Sequence, residues 1–392
     1  MASPANRLRI DRAESRQRTP SIEITAKLVA RALGFSTDAL IASFVAARPE
    51  HLAGVVELRT RIFGFDAGWD DAAYLKWRYR FGSAVNGRGT CWVLVYGGRV
   101  IGMVGTEDIQ LVDDIGAIPT ISTMDLAVDA AFADSGLGVW MNMKVCGDVP
   151  LAITIGSNAN SISIISRYFR RMPDRRVYVY PIDFARYLVR KTQKAWLAIP
   201  IGAALNALMS LSRTAMLRRC SEFEVRPIEH FDGAFQALID QVRRPAELHI
   251  QKSLEFLNWR LFGSRRSKYR VWGAFRSGKP AGYIAILNQS SGDAVTQIEI
   301  VDWMSAPADE ERVFRTLCRK VVDYALSLRA ERILVTAYHV RSERLLGRFG
   351  FIRRASKFET IGVAGSNAEL IARVVENKNW CVMEINTDRD GV

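Results

Sequence analysis

The sequence has 392 residues, with 49% hydrophobic and 24% charged residues, a balance that excludes a disordered or fibrous chain. Because domains average roughly 150 residues, this length predicts two or three folded units. The net charge of +13 favours an anionic partner such as a nucleic acid, an acidic membrane surface, a polyanionic glycan or a phosphorylated cofactor. Nucleic acid is not predicted, because no zinc-finger spacing and no RNA-recognition signature accompany the charge.

Cysteine and histidine usage excludes two further classes of protein. The five cysteines are scattered and never form a C-x-x-C pair, so neither a disulfide framework nor a structural zinc site is expected. With four histidines, none of them paired at i and i+4, no metal site is predicted. A reducing compartment, the cytoplasm, fits this composition best.

Residues 1–38 are predicted to form a basic arm followed by a short helix. The first twenty residues contain five arginines without the long apolar stretch that a secretory signal requires. The first folded unit is therefore expected to begin near residue 39.

An internal repeat is the most informative feature of the chain. Residues 44–51 recur as 223–230, each with an apolar strand end, a proline and then an amphipathic helix. The pair Trp77-Arg78 is echoed by Trp259-Arg260. We expect both tryptophans in the core and both arginines on a carboxylate or a chain end.

Each Trp-Arg pair is followed by a predicted β-hairpin and a further strand. The hairpins turn at Gly97-Gly98 and at Gly278, and the next strands cover residues 123–128 and 300–304. Each half then continues with a helix, a buried strand, a basic helix and a last strand. This order predicts a mixed α/β fold, a twisted sheet flanked by helices, in two copies that cover residues 39–185 and 221–392.

The linker of residues 186–220 contains an apolar run from Trp196 to Leu211 with basic residues on both sides. The run is too short, and too interrupted by Pro200 and Asn206, to predict a membrane span. One interpretation is an inter-domain helix packed on both copies. The other is an interfacial helix on an anionic membrane, which would place the protein at the inner membrane face.

A glycine-rich turn follows the strand 123–128 of the first copy. Gly136 and Gly138 stand two residues apart where this strand leads into a helix. Such spacing lets successive backbone N–H groups point to one anion and places a helix N-terminus behind them. The turn predicts a pyrophosphate cradle, although a glycine pair at a helix start also occurs as plain turn chemistry.

The order of elements and this turn together resemble the GNAT superfamily of acyl-CoA-dependent N-acyltransferases. The cofactor loop of that family reads Gln/Arg-x-x-Gly-x-Gly/Ala, and this chain matches both glycines but has Ala133 in the first position. The resemblance implies a tandem GNAT fold that uses acetyl-CoA or another acyl-CoA as co-substrate. It also implies backbone contacts to the pantetheine arm from Leu126, Ala127 and Val128, and to the pyrophosphate from Ser135, Gly136, Leu137, Gly138 and Val139.

A second family motif, Asn-x-Asn-Ala with a later Tyr and Gly-Phe, follows the strand 151–155. The resemblance assigns Asn158 and Asn160 to the cofactor site, and Ile165 stands where many members have the Tyr that protonates the CoA thiolate. The second copy keeps Gly350-Phe351, but its segment 305–312 has no glycine and three acids. An acidic loop would repel a pyrophosphate, so we expect a degenerate second copy that forms one wall of the acceptor cleft.

Three carboxylates are candidates for the general base that accepts the proton of an ammonium acceptor. They are Asp125 on the central strand, and Glu107 and Asp108 at the end of the preceding strand. Asp302 stands at the matching position of the second copy. A structural role shared by both aspartates, such as binding the arginine of each Trp-Arg pair, is therefore the alternative.

The predicted function is transfer of an acyl group, acetyl in the first instance, from acyl-CoA to an amine of a small molecule or glycan. An amino sugar of a polysaccharide or envelope pathway is one such acceptor. A Fem-like transferase that uses aminoacyl-tRNA is an alternative, because the basic charge suits that donor. A non-catalytic GNAT-fold scaffold is a third interpretation, supported by Ala133 and Ile165.

Overall fold

The structure is a computed structural model that describes residues 21–64, 72–81, 87–216, 222–242, 247–264, 268–291, 294–356, 359–377 and 379–387. The first twenty residues of the predicted basic arm lie outside these ranges, as do the cations Arg218 and Arg219 that follow the apolar run. The described residues form a 16-stranded mixed sheet with helices packed against it, which confirms the predicted α/β fold class.

Four helices of the first copy recur in the same order in the second copy, and further helices precede, connect and follow them. They are α1 (Ile22–Leu33), α2 (Thr37–Ala42), α3 (Leu52–Phe63), α4 (Ala72–Arg78), α5 (Leu137–Gly147), α6 (Ile162–Tyr168), α7 (Phe184–Thr192), α8 (Ala195–Met216), α9 (Gly233–Gln241), α10 (Leu254–Phe262), α11 (Glu310–Ser327), α12 (Val340–Arg348) and α13 (Ala368–Glu376). Helices α3 to α6 of the first copy correspond to α9 to α12 of the second.

The strands lie between these helices, in part as runs of consecutive strands. They are β1 (Phe44–Ala46), β2 (Gly89–Tyr96), β3 (Arg99–Val112), β4 (Ala117–Val128), β5 (Ala152–Ile155), β6 (Arg170–Arg171), β7 (Arg176–Pro181), β8 (Glu224–Pro227), β9 (Leu248–Ile250), β10 (Arg270–Arg276), β11 (Lys279–Ser291), β12 (Ala294–Ser305), β13 (Arg332–Tyr338), β14 (Ile352–Arg354), β15 (Ile361–Ala364) and β16 (Trp380–Met383).

Each copy contains three antiparallel strands followed by one parallel strand. Strands β2, β3, β4 and β5 in the first copy correspond to β10, β11, β12 and β13 in the second. Both hairpins turn at two residues with positive φ, Gly97 and Gly98 in one copy and Ser277 and Gly278 in the other. Two positive φ values in a two-residue turn match the right-handed twist of the flanking strands, which explains the predicted turn positions.

The last strand of each copy pairs with the other copy. Strand β7 runs antiparallel to β13, with Val177 opposite Thr336, and β15 runs antiparallel to β5, with Val363 opposite Ile153. Each copy therefore completes its sheet with a strand that belongs, by sequence, to its neighbour. The two copies of the repeat therefore exchange their last strands.

Two short strands and one aromatic pair also join the copies. Strand β9 pairs with the end of β3 and with β16, and β16 pairs in turn with β13. The repeated tryptophans stack on each other, with the ring centroids of Trp77 and Trp259 4.8 Å apart. Arg260 donates a hydrogen bond to the backbone carbonyl of Thr387 at 2.6 Å. The Trp-Arg pairs thus hold the two copies and the C-terminal segment together.

A buried ionic cluster fixes the same junction. Arg175, which is fully buried just before β7, contacts Glu359 at 2.5 Å and Glu384 at 2.8 Å. Both carboxylates are also buried and come from the second half of the chain. A buried arginine shared by two carboxylates tolerates little displacement, so the exchanged strands are held in one register.

The apolar run of the linker lies in α8, which forms an antiparallel hairpin with α7. Asn206 of α8 contacts Asp183 at the start of α7, and Gly202 lies so close to the backbone of Ala185 that a Cβ there would stand 2.3 Å from its Cα. Within the described residues, no helix is both long and apolar enough to cross a membrane.

Candidate active site

A split opens between β4 and β5 of the first copy. The two strands pair in parallel from Ile121 to Thr123 and then diverge. The divergence coincides with a bulge in β4, where Asp125 adopts a left-handed φ of 50° opposite Val104. A bulge bends its strand and interrupts the ladder, which separates β4 from β5 at this point. The resulting cavity has a volume of about 270 Å³.

Two of the residues that the sequence associates with a cofactor, Leu126 and Asn158, line this cavity. Leu126 of β4 lines it, as do Asn158 and the backbone at the end of β5, and Asn142 of α5 and Ile165 of α6 close it. Ala127 and Val128 continue β4 beyond the bulge, opposite Met103 and Gly102 of β3. Of these three residues, Leu126 lines the cavity, and Ala127 and Val128 are not among its described lining residues.

Asp125 is held by two partners that the sequence analysis does not identify. Its side chain forms an ion pair with Arg59 of α3 at 3.3 Å and accepts a hydrogen bond from the phenol of Tyr79. Burial opposes ionisation of Asp125, but the charge of Arg59, the hydrogen bond from Tyr79 and the charge of Arg78 together lower its pKa. A carboxylate with a lowered pKa is a weak proton acceptor, so this geometry favours a structural role.

Tyr79 reaches Asp125 because Gly105 of β3 has no side chain. A Cβ at Gly105 would stand 2.1 Å from the Tyr79 hydroxyl. Burial raises the pKa of Tyr79 well above its usual value, and the neighbouring charge of Asp125 raises it further. The phenol therefore stays protonated and donates to Asp125 at neutral pH.

The other two candidate bases stand in different environments. Glu107 is buried and paired with Arg78 at 3.0 Å, which places the arginine of the first Trp-Arg pair on a carboxylate as expected. Asp108 is exposed and lies 3.4 Å from Arg80. It also lines a separate groove of about 540 Å³, whose opposite wall includes Gln251 of the second copy.

The predicted glycine turn lies at the start of α5, beside the end of β4. Gly136 is the N-cap residue of α5 with a left-handed φ of 78°. A Cβ at Gly138 would stand 3.3 Å from Val128 and 3.7 Å from Leu126, so the helix start packs directly on the strand that borders the split. One backbone amide of this turn already has a hydrogen-bond acceptor, because Leu137 N–H donates to the hydroxyl of Ser135 at 3.2 Å.

The two asparagines of the second motif have different positions. Asn158 lines the split, and its side chain accepts backbone hydrogen bonds from Asn160 and Ser161, each at 2.9 Å, in the turn that precedes α6. Asn160 is exposed and is not among the described residues that line the cavity. Ser157 does line it, and its buried Oγ has no hydrogen-bond partner among the described residues.

The matching split of the second copy contains the C-terminal strand. Strands β12 and β13 pair in parallel from Gln297 to Ile300 and then separate. Beyond that point β16 pairs with the edge of β13 from which β12 has separated, with Met383 opposite Ala337. The remaining cavity measures about 100 Å³, against about 270 Å³ in the first copy.

The walls of the second split are closed by polar contacts. His339 caps α12, and its Nε2 lies 3.0 Å from Glu247. Asp302 is fully buried between the Tyr283 hydroxyl at 2.6 Å and Lys252 at 2.5 Å.

The acids of the predicted repulsive loop are themselves paired with arginines in the described structure. Asp309 contacts Arg276 at 2.7 Å, and Glu310 contacts Arg341. Ion pairs and chain packing therefore fill the region that would hold a cofactor in this copy.

No family model matches the sequence, and no curated protein matches it. Solved structures do match the fold. A GCN5-related N-acetyltransferase from Anabaena variabilis ATCC 29413 superimposes with a TM-score of 0.56 and 10% identity over 82% of this chain and 71% of its own. A conserved protein of unknown function from Enterococcus faecalis V583, described as a probable N-acyltransferase, gives a TM-score of 0.54 and 10% identity over 83% and 73%.

A third match is N-myristoyltransferase from Saccharomyces cerevisiae with bound myristoyl-CoA, with a TM-score of 0.51 and 9% identity over 82% of each chain. At such low identity these similarities concern the fold. Together with the two copies seen in the topology, they confirm the predicted tandem GNAT fold.

Proposed function

We propose that the first copy is an acyl-CoA-dependent N-acyltransferase with acetyl-CoA as its donor. The observation that carries this proposal is the open split between β4 and β5, which adjoins the glycine-containing start of α5. A helix N-terminus attracts a pyrophosphate, and an unpaired strand edge offers backbone groups to an extended pantetheine amide chain. The predicted contacts at residues 126–128 and 135–139 remain part of the proposal.

In the proposed reaction the ammonium acceptor gives one proton to Asp108, and its nitrogen attacks the thioester carbonyl to form a C–N bond. The C–S bond breaks, CoA leaves as a thiolate, and the second proton of the nitrogen goes to solvent. Ser157 is our candidate donor of a hydrogen bond to that thiolate, because the residue lines the split and its buried hydroxyl has no partner among the described residues. It would take the place of the family Tyr, which is Ile165 here. Replacement of Ser157 by Ala should lower kcat more than it changes KM.

We propose that the acceptor amine enters through the groove that Asp108 lines. Asp108 is the exposed member of the three candidate carboxylates and pairs with Arg80 at the surface, whereas the side chains of Asp125 and Glu107 are buried against arginines. Gln251 and Phe256 form the second-copy wall of the same groove, which supports the predicted contribution of that copy to the acceptor cleft. The acceptor class we would test first is an amino sugar.

Calorimetric titration of the full chain with acetyl-CoA is the direct test of this proposal. We expect one site per chain, because β16 fills the second split. Transfer is then followed by release of free CoA thiol in the presence of a panel of amino sugars and other amines. Two equivalent sites would contradict the assignment of the second copy. The absence of binding for acetyl-CoA and longer acyl-CoAs would leave the aminoacyl-tRNA and scaffold alternatives.

A further inference from the structure

The helix hairpin α7–α8 exposes an unusual number of large apolar side chains. Six of them on α8 are exposed, with exposed fractions from 43% to 77%. They are Trp196, Leu197, Ile199, Ile201, Leu208 and Leu211. Large exposed apolar patches often mark an interaction site, so the arrangement of these side chains on α8 matters.

The exposed residues form a stripe because of their spacing. Leu197, Ile201, Leu208 and Leu211 follow one another at i, i+4, i+11 and i+14, which places them on one face of a helix with 3.6 residues per turn. We call these four residues the α8 stripe.

The opposite face of α8 is fixed against the rest of the protein. Ala198 is buried, Gly202 lies against Ala185, and Asn206 binds Asp183 and the backbone N–H of Phe184. Arg213 donates to the carbonyl of Ile182 at 2.8 Å. The helix therefore cannot rotate to bury its stripe without losing these contacts.

The sequence of the hairpin and of the residues that follow it carries charge of a single sign, and Asp183 and Glu331 contact the hairpin from outside this segment. Residues 184–221 contain seven lysines and arginines and no aspartate or glutamate. Lys191 and Lys194 stand exposed at the turn between α7 and α8, next to Trp196. A symmetric contact between two copies of this hairpin would bring these cations together, which disfavours a second copy of the chain as the occupant.

We propose that this hairpin docks the protein on the surface of an anionic lipid bilayer. The α8 stripe would enter the boundary between headgroups and acyl chains, and the exposed lysines would meet the lipid phosphates. Because no described helix can cross a membrane, the hairpin lies on the surface. This inference uses no residue of the proposed acyl-CoA site and does not depend on its function.

The test is flotation of the full chain with vesicles of phosphatidylcholine alone or with one quarter phosphatidylglycerol. We expect the protein to float with the anionic vesicles at low salt and to stay in solution with the neutral ones. Raising the salt should weaken binding, because screening removes the electrostatic part. Protein that stays in solution with anionic vesicles at low salt would overturn the proposal.

Substitution separates the stripe from the overall basic charge. The variant Leu197→Ser, Ile201→Ser, Leu208→Ser and Leu211→Ser should bind anionic vesicles at least about tenfold more weakly. The matched control, Ile115→Ser with Ile352→Ser, removes exposed apolar residues elsewhere and should bind like the unmodified chain. The pair Lys191→Glu with Lys194→Glu should lose about tenfold or more, since each cation near such a surface contributes.

Thermal unfolding should show that all variants keep the stability of the unmodified chain, because the altered residues are exposed. Two results would refute the proposal. Unchanged vesicle binding by the stripe variant would mean that general positive charge is responsible. A dimer of the unmodified chain that the stripe variant abolishes in sedimentation velocity, without vesicle binding, would make a second copy the occupant.

Discussion

The split between β4 and β5 in the first copy and the split between β12 and β13 in the second begin in the same way. In each, two parallel strands pair over a few residues and then separate beside a buried aspartate that binds a tyrosine and a cation. Beyond that point they differ, because the first stays open and the second receives β16. The same architecture thus yields a candidate ligand site in the first copy, whereas in the second copy the split is used for strand pairing with β16.

The buried aspartates show which features belong to the architecture. Asp125 binds Tyr79 and Arg59, whereas Asp302 binds Tyr283 and Lys252, and these partners come from different elements in the two copies. Both copies therefore place a carboxylate beside a phenol and a cation at the same strand position, although different elements supply the partners. We infer that the carboxylate serves the strand geometry at that position. This comparison favours the structural alternative for Asp125 over the role of general base.

The largest expected effect concerns the buried ionic cluster of Arg175, Glu359 and Glu384, which connects the two copies. Replacing Arg175 by Met should destabilise the protein by about 3–5 kcal/mol, because Glu359 and Glu384 would remain buried without their cation. Urea unfolding at pH 7 measures the loss. Arg171→Met is the matched control, since Arg171 pairs with Asp174 at the surface and should contribute about 0–1 kcal/mol. Similar small losses in both variants would mean that the exchanged strands do not depend on this cluster.

The second test compares the two aspartates directly. Asp125→Ala and Asp302→Ala should each cost about 3 kcal/mol of unfolding free energy, because each removes the carboxylate that Arg59 or Lys252 contacts in the folded protein. The isosteric Asp125→Asn variant should retain turnover within about tenfold per folded molecule, whereas loss of a general base costs about 100-fold or more. Asp108→Asn should show the larger kinetic effect. If Asp125→Asn lowered turnover more than Asp108→Asn does, Asp125 would be the general base.

The third test concerns the glycine turn beside the open split. Gly138→Asp places a charge in the proposed pyrophosphate site and a Cβ within 3.3 Å of Val128, so acetyl-CoA should bind about 100-fold more weakly. The control is Ala308→Asp, which adds the same charge to the corresponding exposed loop of the second copy and should leave affinity unchanged. Equal affinity of the folded Gly138→Asp variant and the unmodified chain would exclude the turn as the cofactor site.

Local patterns in the sequence predict the features that depend on local geometry. The hairpin turns follow from glycines that accept positive φ, and the repeat with its Trp-Arg pairs predicts two copies of one fold. The exchange of β7 and β15, and the insertion of β16, could not be predicted, because strand pairing between distant segments leaves no periodicity in either segment. Both exchanged strands carry the apolar pattern that pairing within a copy would also require.

The partners of the candidate site were missed for a related reason. Arg59 lies on α3 among apolar residues, which could have been recognised as a buried charge that needs a counter-ion. Its contact with Asp125 spans 66 residues and depends on how α3 packs on the sheet. Ser157 follows a buried strand and carries no motif of its own, so the free Oγ is visible only in the structure.

The smallest expected effect concerns the pH dependence of the contact between the first copy and α13. Burial opposes ionisation of Asp113 at the end of β3, but hydrogen bonds from Arg373 and from the backbone of Gly116 and Ile115 lower its pKa below the usual value. A group with a lowered pKa stabilises the folded state above the pKa of the unfolded chain, roughly 3.9, and loses that contribution as the pH falls further.

Asp113→Asn should therefore cost about 1 kcal/mol at pH 7, and the difference from the unmodified chain should shrink below about pH 4. Urea unfolding between pH 3 and pH 7 measures the difference, with the exposed neighbour Asp114→Asn as the control. A difference that stays constant with pH would mean that Asp113 contributes through packing instead of through its charge.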